Sequence, residues 1–297
     1  MDMRKSAVAA SAALAAVLAV PLFAHADSGR APEPVPLPAP VAGSAPAALT
    51  AVGLTAEQRL VGFGVDKPSA TRSIGQVTGL SGDTGLVGID FRVQDRKLYG
   101  VGDAGGVYTL DTTNARAVKV SQLTIALSGQ RFGVDFNPAA NRLRVISDTG
   151  QNLRHNIDDS GGALGTVADG TLTHATVPPA TALGVTAAAY TNNDLSAATA
   201  TTLFDLDTRG DRVVVQSPAN SGSLAATGGL GVDAGENAGF DIHFSPATGT
   251  NHGYATLHSG GGHRLYEVDV LTGAVRDLGA FPARRQVTDI ALPLARD

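Results

Sequence analysis

From about Ala48 onward, apolar residues come in short runs, some alternating with polar residues and some continuous. Gly, Asn, Asp and Ser separate the runs. Both patterns belong to β-strands, the alternating one half-buried and the continuous one fully buried. An apolar–carboxylate–apolar element stands out because it recurs: Ile89-Asp90-Phe91, Val134-Asp135-Phe136 and Phe240-Asp241-Ile242. Counting Thr186 and Asp289 as two further occurrences of this slot gives intervals of 45, 51, 55 and 48 residues. A period of that size with several strands per unit is the arithmetic of propeller blades.

The neighbours of each slot complete the units. "KLYGVG" from Lys97, "GVYTLD" from Gly106 and "AVKVSQL" from Ala117 follow the first slot. "RLRVIS" from Arg142, "NLRHNID" from Asn152 and "ALGTV" from Ala163 follow the second. "TLFDLD" from Thr202 and "RVVVQS" from Arg212 belong to the next, "YATLH" from Tyr254 and "RLYEVD" from Arg264 to the one after. "VTDIALPL" from Val287 has no strands after it, whereas "ALTAVGL" from Ala48, "RLVGFG" from Arg59 and "RSIGQV" from Arg72 have no slot strand before them. The two partial units make one blade. The prediction is an all-β β-propeller of five four-stranded blades over residues 48–297, closed by N- and C-terminal strands, which removes open sheet edges.

Alternate residues of a strand share a face. If each slot strand lies nearest the propeller axis, Asp90, Asp135, Asp241 and Asp289 ring the channel, interrupted by Thr186. Arg92, Asn137, Ala188, His243 and Ala291, two residues on, are expected to line the next layer. Two carboxylates ~8 Å apart repel by about 2 kcal/mol at an effective dielectric near 20, so such a ring must be relieved. The relief expected first is acceptance of backbone N–H groups from the next blade. A channel cation, Ca²⁺ or Mg²⁺ by its taste for oxygen ligands, is the second. Protonation, of the kind used in acid catalysis, is the third.

Composition then sets the setting. Arg4 and Lys5 precede an apolar run from Ala7 to Val20 that ends in Ala24-His25-Ala26. This is the layout of a secretory signal peptide, residues 1–26, and too short for a membrane span. Residues 27–47 are Pro/Ala-rich and read as a linker. The expected location is secreted or periplasmic, with no membrane span after signal cleavage. The chain has no cysteine, which excludes disulfides and thiolate chemistry. The net charge is −5 and no Lys/Arg cluster stands out, which argues against nucleic acid as a partner.

Other motifs read as turns. Gly100-Val101-Gly102-Asp103-Ala104-Gly105 fits G-x-G-x-x-G, but a strand pattern follows where a dinucleotide site needs a helix. Asn156 to Gly161 and Asp205 to Gly210 resemble the opening of calcium loops, and the first lacks its closing acid because Val167 stands there. His258 and His263 flank "SGGG" and could converge on a metal, without an evident third ligand. There is no G-x-S-x-G, H-E-x-x-H or P-loop pattern, and no Trp to build a sugar platform.

Arg131 to Arg154, with "RVISDTGQNLR" from Arg144 at its core, "GLVGIDFRVQDRKLYGVGDAGGVYTLD" from Gly85 and "AAAYTNND" from Ala187, resembles an uncharacterised family of exported bacterial proteins catalogued as a domain of unknown function. The resemblance spans about residues 48–292. It implies a propeller-like fold and a secreted location, and no assigned activity or catalytic residues. The function expected is a binding or scaffold module for an unknown small molecule or protein. The alternative is a hydrolase or lyase using the channel carboxylates with a divalent cation.

Overall fold

The computed structural model describes residues 49–158, 165–196 and 198–295. The chain divides into Met1–Gly43 and Ser44–Asp297, and the description concerns the second unit. The expected signal peptide and linker, and half of the Asn156–Gly161 loop (residues 159–161), lie outside the described residues.

Five antiparallel sheets form a ring. Blade 1 holds β1 (Thr50–Thr55), β2 (Arg59–Gly64) and β3 (Arg72–Gln76). Blade 2 is β4 (Leu86–Phe91), β5 (Leu98–Gly102), β6 (Gly106–Leu110) and β7 (Ala117–Gln122). Blade 3 is β8 (Phe132–Asn137), β9 (Arg142–Ser147), β10 (Asn152–His155) and β11 (Thr166–Ala168). A hairpin of β12 (Thr173–His174) and β13 (Ala180–Thr181) precedes blade 4, which is β14 (Val185–Tyr190), β15 (Leu203–Asp207), β16 (Arg212–Gln216) and β17 (Ser223–Gly229). Blade 5 is β18 (Gly235–Ser245), β19 (Thr250–Ser259), β20 (Gly262–Val268) and β21 (Val275–Ala280), after which β22 (Val287–Ala291) returns to blade 1.

There β22 pairs antiparallel with β1, Gly53 opposite Ile290 and Leu54 opposite Asp289, so the two ends of the domain build one sheet as the pattern predicts. The inner strands β22, β4, β8, β14 and β18 touch one another in sequence around the axis. Four blades have four strands; blade 4 has six, because β12 pairs in parallel with β17 and carries β13 beyond it. The hairpin covers an edge that would otherwise face water.

The core lies between blades. Ile89, Leu98 and Leu110 meet Leu54, Leu60 and Val77 at the blade 1–2 seam. Phe136, Val134 and Leu143 meet Tyr99, Val101 and Val107 at the next, with the Tyr99 and Phe136 rings edge-on at 5.2 Å. Phe240 and Ile242 meet Ala187, Ala189 and Leu206 at the blade 4–5 seam. The apolar partners of the slot residue therefore face the preceding blade, and the slot residue faces the following one.

Space at the axis is scarce. A methyl group on Gly133 would lie 2.6 Å from Ala188 N, and one on Gly239 would lie 2.5 Å from Asp289 Cα. Glycine two residues before the slot lets neighbouring inner strands approach this closely.

Candidate functional site

The slot residues stitch the ring. Asp90 Oδ2 accepts Phe136 N–H at 2.8 Å, Asp135 Oδ1 accepts Tyr190 N–H at 3.2 Å and Asp241 Oδ2 accepts Leu292 N–H at 2.6 Å. Each bond runs to the residue one past the slot of the next blade. Tyr190 and Leu292 thereby define the slots of blades 4 and 1 as Ala189 and Ala291. Where the preceding slot is alanine, the strand serves itself. Phe91 N–H and Ile242 N–H bond to Oδ1 of their own neighbours, Asp90 and Asp241. All five N–H groups at this level find a carboxylate, as buried backbone donors require.

Two sequence assignments are corrected by this register. Thr186 is not in the ring. It is the extra residue of a bulge, since Val185 pairs with Asp207 and Ala187 with Leu206, and its hydroxyl lies 3.2 Å from that of Thr208. Asp289 faces the same way as the slot residues but two residues earlier, where other blades carry Gly88, Gly133, Ala187 and Gly239. It makes the equivalent bond one step lower, accepting Ile89 N–H at 2.8 Å.

The expected second layer also disperses, because the chain leaves the axis as the inner strands end. Arg92 turns to Asn141, Asp95 and Asp158 at 2.9, 3.2 and 2.5 Å. Asn137 accepts Ala140 N–H and shapes the β8–β9 turn. His243 sits 3.0 Å from the Pro293 carbonyl, and burial lowers its pKa. Ala188 packs into the blade 3–4 core, and Ala291 occupies the slot itself.

Asp90, Asp135 and Asp241 do converge. Each offers an oxygen within 4.8 Å of the others, and their exposures are 4%, 1% and 2%. Two charges at ~5 Å repel by about 3 kcal/mol at an effective dielectric of 20, so three ionised groups would cost about 10 kcal/mol. Burial first, then the Asp241 charge, pushes the pKa of Asp90 well above the ordinary range. Asp135 is raised likewise by burial and by Asp90 and Asp241. Burial raises Asp241 to about 7 against the pull of its two N–H donors, and burial raises Asp289 too. Burial and mutual repulsion thus bias all four carboxyl groups toward the protonated form. Among the described residues Asp135 Oδ2 has no hydrogen-bond partner.

At the end of the channel where the inner strands begin lies a cavity of about 220 Å³. Its polar lining is Gln58, Gln130, Arg131, Asn237, Thr288 and Asp289, and its apolar lining includes Leu54, Leu86, Val87 and Phe132. Bulges make it. Register shifts fall between Leu86 and Gly88, between Gly235 and Ala238, and between Leu54 and Thr55 opposite Asp289 and Val287. The surplus residues Val87, Asn237 and Thr288 all reach the cavity wall. Gln58 clamps the blade 1–2 seam beside it, donating to Leu86 O at 3.1 Å and accepting Leu86 N–H at 2.6 Å. Asp289 is partly exposed here and links the cavity to the buried cluster. The acid was legible in the sequence; the cavity was not, because bulges leave no mark in an alternation pattern.

The remaining motifs resolve as turns. Gly105 has φ +84° in the β5–β6 hairpin, and no helix follows Gly100–Gly105. Asp207 accepts Gly210 N–H at 2.9 Å and pairs with Arg212 at 2.8 Å. His258 and His263 face each other across β19 and β20 with ring centroids 5.2 Å apart, and among the described residues no third metal-capable side chain joins them.

The profile of DUF4394, a domain of unknown function, matches residues 59–291. The chain belongs to this family. That match spans every blade and most of the cavity wall. No functionally curated protein matches in sequence. Among solved structures, a protein of unknown function from Bacteroides thetaiotaomicron is similar at 15% identity and a TM-score of 0.47, covering 84% of this chain and 68% of its own. A Lactobacillus plantarum protein is similar at 17% identity and a TM-score of 0.39, over 78% and 66%. Kuenenia stuttgartiensis hydrazine synthase is similar at 12% and 0.40, over 69% and 53%. At these values none of the three bears on what this DUF4394 domain does.

Proposed function

We propose that this DUF4394 propeller is an exported binding module that takes a small polar molecule into the axial cavity. The observation that carries the reading is the union of an open cavity, built by three bulged inner strands, with the half-buried carboxylate of Asp289 in its wall. Bulges re-aim side chains and are enriched beside functional sites. About 220 Å³ exceeds the ~150 Å³ that holds a benzene-sized guest and falls below the ~300 Å³ where drug-sized pockets begin, so the ligand is small. Arg131 at the rim and Asp289 within, whose pKa burial raises above the ordinary range, suit a ligand with a carboxylate or several hydroxyls. The catalytic alternative is not favoured: Asp90, Asp135 and Asp241 are enclosed and committed to backbone N–H groups.

Screening small acids and polyols by thermal shift tests the cavity. Val87→Trp fills it and should abolish any ligand-induced shift while the unliganded protein still melts cooperatively. A shift that survives the tryptophan would overturn the assignment. Export is tested by sequencing the N-terminus of the mature protein, expected to start at Asp27; recovery of intact Met1 in the cytoplasm would sink it.

A second reading attaches to the buried cluster. Asp135 Oδ2 lacks a partner, and Ca²⁺ or Mg²⁺ held by Asp90, Asp135 and Asp241 would supply one. Elemental analysis and melting with chelator decide between cation and protons. A stoichiometric metal with a chelator-sensitive midpoint favours the cation, and an unchanged midpoint favours protons.

A further inference from the structure

We propose that the seam between blades 3 and 4 holds a second binding site, for a small oxyanion, walled by Arg142, Arg144 and Arg154. A separate cavity of about 90 Å³ lies there, lined by those three arginines together with Asn137, Tyr190 and Asn220. It does not share a residue with the axial cavity. Two of the stretches that carry the family resemblance meet at this place. The "RVISDTGQNLR" stretch contributes Arg144 and Arg154, and "AAAYTNND" contributes Tyr190.

The back wall is rigid. The Arg144 side chain is 2% exposed and held on every side. Its Nε donates to Tyr190 Oη at 3.2 Å, Nη1 to Asn152 Oδ1 and Asp169 Oδ2 at 2.7 Å each, and Nη2 to Asn220 Oδ1 at 2.8 Å. Tyr190 is fixed in turn, since its backbone N–H bonds to Asp135. The front wall has donors to spare. Arg154 reaches Asp169 through Nε and Nη2 at 3.2 Å, which leaves Nη1 without a hydrogen bond among the described residues. Among the described residues Arg142 donates only through Nη1, to the carbonyls of Ala140 and Asn141 at 3.2 and 2.8 Å. No carboxylate among the described residues pairs with it.

The charge count is therefore unbalanced. Three guanidinium groups line the cavity, and one carboxylate, Asp169, answers two of them. Asp205 faces the same seam from β15, and burial raises its pKa well above the usual range against the pull of the Arg144 charge; among the described residues neither of its oxygens bonds to any of the three guanidinium groups. Three guanidinium groups against one paired carboxylate, with forked donors and a hydroxyl around a space of this size, match the geometry of carboxylate, phosphate or sulfate, which guanidinium groups recognise through paired N–H donors.

Calorimetric titration of the full domain with sodium phosphate, sulfate or acetate, against chloride at equal ionic strength, tests this. The wild type is expected to give a saturable one-to-one isotherm with at least one of the three, and Arg142→Gln/Arg154→Gln to bind it at least tenfold more weakly. Arg116→Gln, at an exposed arginine outside both cavities, should leave the isotherm unchanged. If the double variant does not fold, Arg142→Gln alone suffices, because that side chain bonds only to backbone carbonyls. Saturation by acetate alone assigns a carboxylate ligand, and saturation by phosphate or sulfate a tetrahedral one; both uphold the site. No saturable heat in the wild type, or equal affinity in the variants, overturns it. Neither result touches the axial cavity, whose test uses Val87→Trp.

Discussion

A buried carboxylate can be a fastener or a liability, and Asp135 is both. Its Oδ1 takes the Tyr190 N–H while its Oδ2 has no partner beside two other acids. Asp135→Asn keeps the acceptor and places an amide donor where the orphan oxygen stood. At pH 8 it should raise stability by about 1 kcal/mol, the net worth of a typical hydrogen bond, read as a higher urea midpoint. Asp241→Ala has the opposite sign. It strands the Leu292 and Ile242 N–H groups inside the ring, at roughly 1–3 kcal/mol for each buried donor left unpaired. The pH dependence has a definite direction. Folding raises the pKa of these aspartates, so the folded state holds more protons than the unfolded state. Their contribution is complete below the ordinary aspartate value near 4 and declines as pH rises toward the Asp241 value of about 7. The urea midpoint should fall from pH 5 to pH 8; a rise over that interval would point to a bound cation.

At the scale of elements, the crowding of inner strands sets what each can carry. Gly133→Ala puts a methyl group against the Ala187 and Ala188 backbone. It should destabilise by about 1–3 kcal/mol, the usual cost of overpacking, while Gly62→Ala, which meets nothing within 4 Å, should be close to neutral. A pair of thermal melts checks both. This scale also shows where sequence reading works and where it stops. The strands of blades 2, 3 and 5 stand out because apolar periodicity and turn residues agree along them. The stitching bonds follow from the rule that an acid buried in a strand must find donors. The slots of blades 4 and 1 were misplaced because their true occupants, Ala189 and Ala291, carry no polar signal. A nearby polar residue, Thr186 in a bulge or Asp289 one step down, drew the assignment instead. The β12–β13 hairpin was missed for a related reason, since two-residue strands leave no period to count. The Arg144–Asp169–Arg154 network lay unread because its members come from β9, β10 and the loop after β11, which only folding brings together.

For the whole molecule, stability is shared around a closed circuit. Each core cluster belongs to two blades, so no blade can leave without exposing its neighbours. Removing residues 287–297 takes away β22, with it the Asp289 bond to Ile89 and the Leu292 bond to Asp241, and the packing of Ile290 and Val287 against Phe63 and Tyr254. Burying side chains of this size contributes about 1.5–3 kcal/mol each, so the shortened chain is expected to lose its cooperative melt altogether. Retention of a sharp transition within a few degrees of the intact protein would show that the circuit is not what holds the blades.

The placement of β22 carries a cost in time. Its partner β1 ends at Thr55 and β22 starts at Val287, a gap that takes roughly 10–50 s to synthesise at about 5–20 residues per second. Throughout that interval Thr50–Thr55, with neither charge nor proline, offers a bare ribbon edge of the kind that recruits other chains. The nascent blade is thus most vulnerable until β22 emerges, and that ribbon serves as the cap on β1.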